Sequence, residues 1–286
     1  MLESQVSQRI SVDGYVGHLA VTSITDGDFV FFERGGTSLF NIAGADQNIL
    51  NVWVKDWRLG QKDGKMQLSA HREGVSLDLT LSPRKPPVFH GVQGLSLKGS
   101  DHGQASYHYS LTSLKTAGTL LWRETTYEVA GSSLMDREYG TAMFPRSVKG
   151  WDWFGLTLSN EHELMISVIN NIDGSVAQTS SGIMVMPDGS SRVFNSDSFR
   201  ITEIALWMNP SGVRYPTGWV ISIESLEIFL TIQAIIQEQE LVSSTSTTVD
   251  YWEGPVNVQG TFAGATVEGF GHVELVGYAQ PIGGKF

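Results

Sequence analysis

Apolar and polar residues alternate with a period of two along most of this chain. Val75, Leu77, Leu79 and Leu81 stand against Ser76, Asp78, Thr80 and Ser82. The same alternation runs through Met66, Leu68 and Ala70, through Tyr107, Tyr109 and Leu111, and through Leu226, Ile228, Leu230, Ile232 and Ala234. Side chains leave a strand on alternate faces, so such a segment buries one face and turns the other to water or a cavity, as antiparallel sheet does. Turn signals recur at short intervals: Asp26-Gly27, Asp63-Gly64, Asp173-Gly174, Pro187-Asp188-Gly189 and Asn209-Pro210. Helical spacing with caps is nearly absent. The pattern predicts an all-β protein of short antiparallel strands, arranged as sandwich or barrel.

A faint repeat divides the chain. Gly14–Thr22 leads through Asp26-Gly27-Asp28 into Phe29–Phe32, and about 136 residues later Gly150–Leu158 leads into Leu164–Ile166. Trp122-Arg123-Glu124 and Trp252-Glu253-Gly254 each precede a valine-bearing strand, a glycine (Gly131, Gly260) and an acidic stretch. Two equivalent β-units are expected, residues 1–145 and 146–286, meeting near a proline-containing linker at 141–149.

Composition narrows the function classes. A chain of 286 residues with 41% hydrophobic content can bury a large core. Its net charge of −11, without any Lys/Arg run, argues against nucleic-acid or anionic-membrane partners, whose affinity comes from cationic side chains. No run of apolar residues is long enough for a helical membrane span. With no cysteine, disulfides, thiolate nucleophiles and Cys-based zinc sites are excluded together. The histidines lack His-x-His or HExxH spacing, and neither GxSxG nor a phosphate-binding glycine loop is present. The expectation is therefore no metal and no cofactor. The N-terminus lacks the basic and apolar regions of a secretory signal, so the cytoplasm is the expected compartment.

The densest chemistry lies in Gly131–Phe154, where Asp136 and Glu138 flank Arg137 just before a Gly-Trp-Asp-Trp-Phe run. On a strand the two carboxyls share a face, and such a pair raises one pKa toward neutrality, as a general acid needs. Equally, the pair can be structural, tied to Arg137, Arg146 or Lys149 where the two units join. Tyr107 and Tyr109 share one strand face, with His108 on the other; two phenols lining a cavity would orient a carbonyl or stack on a polyene, or simply fill core. Trp151 and Trp153 share a face as pocket floor or packing surface, and Trp252, Glu253 and Glu33 carry the same ambiguity. His90 follows Lys85-Pro86-Pro87, whose prolines hold an extended loop; it is either an acid/base or a loop cap.

Several stretches in order resemble the two-domain lipocalin-like family that includes AttH-type proteins and carotenoid 1,2-hydratases. They are Trp53–Trp57, Lys85–Gly91, Gly94–Gly99, Ala105–Leu111, Ser133–Gly140, Gly150–Phe154, Tyr215–Trp219, Tyr251–Gly254 and Gly271–Tyr278. The resemblance implies two tandem calycin-like antiparallel β-barrels packed side by side, with a ligand cavity in one barrel or between them. One branch hydrates carotenoid double bonds, and fungal relatives are Diels–Alderases; the shared substrate is long, apolar and unsaturated. The hydratase branch carries its proton-donating Asp in a Tyr-x-Asp arrangement matching Asp136, but Leu134 stands at the tyrosine position. Its His-x-Trp arrangement is likewise absent around Tyr107 and Tyr109. The expected function is a cofactor-independent tailoring enzyme that binds a hydrophobic polyene, polyketide or terpenoid and promotes cyclisation or isomerisation by holding a reactive conformer. Asp136, Glu138, Tyr107 and Tyr109 would assist, with His90, Trp151, Trp153, Trp252, Glu253 and Glu33 around the substrate. Carotenoid-type hydration and non-catalytic carriage of lipids or apolar metabolites are the alternatives. Carriage gains if Asp136 and Glu138 lie in salt bridges away from any cavity.

Overall fold

Strands follow the alternation almost segment by segment in the computed structural model, which describes residues 12–140 and 144–285. The N-terminal segment bearing on a signal sequence, and Thr141–Met143 of the linker, lie outside the described residues. Among the described residues there is no α-helix, and so none that could cross a membrane. A two-stranded ribbon opens the fold, β1 (Gly14–Ser23) against β2 (Asp28–Thr37). The first sheet contains β3 (Ala43–Ala45), β4 (Asn51–Val54), β5 (Trp57–Lys62), β6 (Lys65–Arg72), β7 (Val75–Pro83), β8 (Val88–Phe89), β9 (Leu95–Leu97), β10 (Ala105–Trp122) and β11 (Thr125–Tyr139). The second contains β12 (Val148–Leu158), β13 (Glu163–Asn171), β14 (Ser181–Val185), β15 (Ser191–Asn195), β16 (Arg200–Met208), β17 (Arg214–Ile223), β18 (Ile228–Ala234), β19 (Glu240–Leu241), β20 (Tyr251–Phe262) and β21 (Ala265–Val276).

The first sheet runs β11-β10-β7-β6-β5-β4-β3, and the second runs β15-β14-β13-β12-β21-β20-β18-β17-β16, antiparallel throughout. Tight turns explain much of this order. Between β5 and β6, Asp63 and Gly64 take positive φ of 51° and 74°, the backbone that a two-residue hairpin needs and that Asp-Gly tolerates.

Each unit buries its own core. In β18 the alternation is complete: Ile228, Leu230, Ile232 and Ala234 are buried while Phe229, Thr231 and Gln233 face out. They join Trp219, Trp252, Phe154 and Val273 inside the second sheet, where each large side chain contributes about 1.5–3 kcal/mol by leaving water. Leu226 precedes the strand, in a short 3-10 turn. The first unit packs Leu19 of the ribbon on Trp57, Ala70, Val75 and Trp122. The two opening hairpins of the repeat, β1–β2 and β12–β13, are both present. Its two tryptophans are not equivalent, since Trp122 ends β10 at a turn whereas Trp252 lies inside β20.

Glu33 closes a long-range latch between the ribbon and the second unit. Its carboxylate accepts hydrogen bonds from the backbone N–H of Thr245 (2.9 Å) and Ser246 (3.1 Å) and from the hydroxyls of Ser246 (2.5 Å) and Ser243 (3.1 Å). These bonds, the Ser246 hydroxyl foremost, hold its pKa down at about 2. A depressed acid stabilises the fold above the ordinary carboxylate range, and that contribution is lost as pH falls through about 2. Glu33→Ala is expected to speed amide exchange across Gly14–Thr37 while second-sheet cores stay protected; unchanged ribbon exchange would refute the latch. The latch corrects the expectation that Glu33 lines a substrate pocket.

Candidate functional site

The first half of β10 pairs with β8 and β9 instead of β7, and its register against β11 slips between Leu111 and Leu114. This carries one face of β10 and β11 toward the outer face of the second sheet. Between them lies an open cleft of about 530 Å³, lined on one side by Lys98, His108, Asp136 and Glu138 and on the other by Trp151, Trp153, Glu253 and Glu274.

Register decides which side chains meet there. His108 lies opposite Glu138 and Ser110 opposite Asp136, so Ser106, His108, Ser110, Asp136 and Glu138 share the cleft face. Ser106 donates a hydrogen bond to Glu138, and Ser110 donates one to Asp136. Lys98 Nζ sits 2.6 Å from Glu138 Oε1. Burial raises the Glu138 carboxyl, but the Lys98 charge and the Lys98 and Ser106 hydrogen bonds outweigh it and hold its pKa below the ordinary value. His90 Nε2 is 2.6 Å from Ser110 Oγ, and its ring stacks on His108 at 3.8 Å with 7° between planes. Burial, with the neighbouring His108 charge, pulls the His90 pKa down to about 4, so this imidazole is neutral at pH 7. The buried Nε2 of His108 has no hydrogen-bond partner among the described residues and lies 3.7 Å from Asp136 Oδ2.

The opposing wall is acidic and aromatic. Glu253 on β20 and Glu274 on β21 are direct cross-strand neighbours, and Trp153 on β12 is the other neighbour of Glu274. Both residues are half-buried, Glu274 lining the cleft and Glu253 lining the cleft and a neighbouring chamber. Burial pushes both pKa values up, and for Glu274 the charges of Glu253, Asp136 and Glu138 push the same way while the Trp151 indole N–H opposes. Two adjacent half-buried carboxyls cannot both ionise near neutrality, so the pair retains a proton there.

His90, His108 and Asp136 bring three possible metal ligands within 4.8 Å of one another. The two imidazoles stack nearly parallel, however, so their nitrogen lone pairs run side by side instead of converging on one point. The chain His90–Ser110–Asp136 reads better as a hydrogen-bonded relay, with His108 Nε2 left free 3.7 Å from its carboxylate end.

Of the residues singled out in the sequence, Asp136, Glu138, Trp151, Trp153 and Glu253 line the cleft, and His90 stands behind His108. Tyr107 and Tyr109 do not. They point to the far face of β10, where Tyr107 is 53% exposed and stacks on Tyr139, and Tyr109 packs on Phe89. The buried face of β10 is the polar one, because it is sandwiched between the two sheets. Trp252 is fully buried in the second core, its indole N–H bonded to the Gln237 carbonyl at 2.7 Å, and cannot touch a ligand in the cleft. Lys98, Ser106, His108, Ser110 and Glu274 escaped the sequence reading as site residues. For His108 and Glu274 the available signal was their place in strands already marked as notable, one residue from Tyr107 and inside Gly271–Tyr278.

The AttH-like family model matches residues 4–278. The chain is 25% identical over 233 residues to dehydratase asqC of Emericella nidulans, covering 74% of this chain and 61% of that protein. It is 24% identical over 213 residues to kievitone hydratase of Fusarium solani subsp. phaseoli, covering 72% and 58%. The matches thus span about three-fifths of each curated relative's length. A solved Nitrosomonas europaea structure described as AttH superposes with a TM-score of 0.84 at 26% identity, covering 93% of this chain and 82% of that one. Fold and sequence agree over almost the whole length, and the chain belongs to the AttH-like family.

Proposed function

We propose that this protein is a lyase-type tailoring enzyme that adds water to, or removes it from, a carbon–carbon bond of an apolar small molecule held in the cleft. One observation carries this reading: a proton-bearing carboxyl pair, Glu253 and Glu274, faces the Asp136–His108 set across a single cavity. Hydration needs both partners. A carboxyl of the pair delivers its proton to one alkene carbon, and positive charge develops on the neighbouring carbon. Trp151 and Trp153 line the same cavity, where an indole ring would stabilise that charge and keep bulk water from it. A water held by Asp136 and the free His108 Nε2 adds to the cationic carbon and gives up a proton to them. Dehydration is the same path reversed. The names of the two curated relatives, a dehydratase and a hydratase, support this class of reaction, although both proteins are longer.

Leu134, which weakens a hydratase reading at the level of motifs, loses that force here, since the cleft supplies proton donors on its other wall. Cyclisation of a folded chain is the second reading, favoured by a further chamber beside the cleft. Simple carriage is disfavoured because Asp136 and Glu138 line the cleft instead of lying apart from it. The test is incubation in oxygen-18 water with a panel of terminal alkenes and the matching tertiary alcohols, followed by mass spectrometry. A product heavier by one labelled water, or an alcohol exchanging its oxygen, is expected. Ligands that bind and return unlabelled would overturn the lyase reading in favour of a carrier.

A further inference from the structure

The carboxylate cleft adjoins another chamber between the sheets. This second chamber, of about 670 Å³, is lined by Ile24, Pro255, Val256 and Phe270, interspersed with hydroxyl, amide and imidazole side chains such as Ser133, Asn257 and His272. Three side chains line both chambers: Leu134, Trp153 and Glu253. We propose that the two chambers form one bipartite substrate site, taking a molecule with an oxygen-bearing head and an apolar tail, and that Leu134 at the waist sets how much tail passes.

This rests on the lyase reading for the position of the reacting bond, and it has independent support in the walls. Glu253 borders both chambers, so a bond that receives a proton from the pair lies at the waist, with the rest of the molecule extending both ways. The head side offers Lys98, His108, Asp136 and Glu138, which would hydrogen-bond oxygen atoms. The tail side offers the hydrocarbon of Ile24, Pro255, Val256 and Phe270 and, among the described residues and apart from Glu253 at the waist, no carboxylate, lysine or arginine. A bound molecule with both parts satisfies each wall, whereas a wholly apolar one would leave the charged wall desolvated and unpaired.

Leu134 is suited to act as a gauge because it is fixed. It lies two residues before Asp136 on β11 and therefore on the same face. With Trp153 it packs on Val88, Met165, Ile183 and Val185, so its side chain meets both sheets. A larger residue there fills the waist, and a smaller one widens it.

A series of 4-n-alkylphenols, from ethyl to nonyl, titrated calorimetrically provides the test. For the wild type, affinity is expected to rise about fourfold per added methylene while the tail is entering the second chamber. Leu134→Trp should end that rise at short tails, leaving the ethyl compound within about twofold of wild type and weakening the nonyl compound at least tenfold. Leu134→Phe serves as a milder blocker should the tryptophan variant fail to fold, with a smaller loss of the same kind. A nonyl-to-ethyl affinity ratio unchanged in a folded blocking variant would overturn the proposal. Glu274→Gln separates the two ideas, because it removes turnover under the lyase reading and leaves the length profile intact.

Discussion

Replacing Glu274 with glutamine is expected to lower kcat/KM by about 10²–10⁴ while leaving Tm unchanged or slightly raised. The range is what a positioned general acid contributes to proton transfer. The opposite signs for activity and stability follow from electrostatics. Glu274 is half-buried beside Glu253, so its charged form is penalised by burial and then by its neighbour. Its pKa in the folded protein is raised above the unfolded value, and the native state therefore binds the proton more tightly. Stability from this group is fully present below the ordinary carboxylate range and declines as pH rises through the raised pKa. Glutamine keeps the shape and hydrogen-bonding capacity but cannot ionise, so alkaline destabilisation should lessen in the variant. The wild-type rate should fall on the alkaline side as the pair loses its proton, and Glu253→Gln should shift that limb because the two groups titrate together. Kinetics and thermal denaturation at pH 5 and pH 8 check all of this. A Glu274→Gln protein that retains full activity would remove the acid from the mechanism, and one that unfolds would make the pair structural.

The sheets were legible in the sequence because alternation is a local signal tied to a physical necessity. Each strand of Ile228–Ala234 or Val75–Pro83 must bury one face, and the pattern names that face without knowledge of its partner. The site was legible only in part, because a cleft between sheets is made by register and packing. Asp136 and Glu138 stood out as a same-face pair, but what lies opposite them depends on β10 register. Tyr107 and Tyr109 looked like the inward face on grounds of size and apolarity. The chain does the reverse, burying Ser106 and Ser110 because Glu138, Asp136 and His90 satisfy their hydroxyls, and burying His108 between them against the His90 ring. Glu274 pairs with Glu253 across a ladder whose alignment no motif reveals. The same limit applies to Glu33, whose partners lie more than 200 positions away.

Lys85→Met is expected to cost about 3–5 kcal/mol of stability, a fall in Tm of roughly 6–10 °C. Lys85 follows β7, and its Nζ lies 2.7 Å from Glu163 Oε2 at the start of β13 and 2.7 Å from the Glu161 carbonyl in the β12–β13 turn. Both side chains of the ion pair are nearly out of solvent, at 10% and 4% exposure. Removing the lysine leaves a carboxylate stranded in a dry joint. The pair is nevertheless poor compensation for its own burial: burial raises the Glu163 pKa by more than the lysine lowers it. The deficit in Lys85→Met should therefore depend on pH. Without the lysine the Glu163 carboxyl is raised further, the native state holds its proton more tightly than the unfolded chain does, and the loss grows as pH climbs above the ordinary carboxylate range. The double variant Lys85→Met, Glu163→Leu should recover most of the stability, since apolar replacements of a buried pair are often neutral or better. A single variant as stable as wild type at pH 8 would show that the pair is not a clamp. The same joint bears on the cleft. Pro86 packs directly against Gly189 of the β14–β15 turn, where an added Cβ would meet its ring at 2.6 Å. From there the chain runs through β8 to His90. With the clamp cut, the histidine relay and the opposing carboxyl pair lose their fixed separation. Turnover in Lys85→Met should consequently fall even at temperatures where the protein stays folded, and the double variant should restore stability before it restores rate.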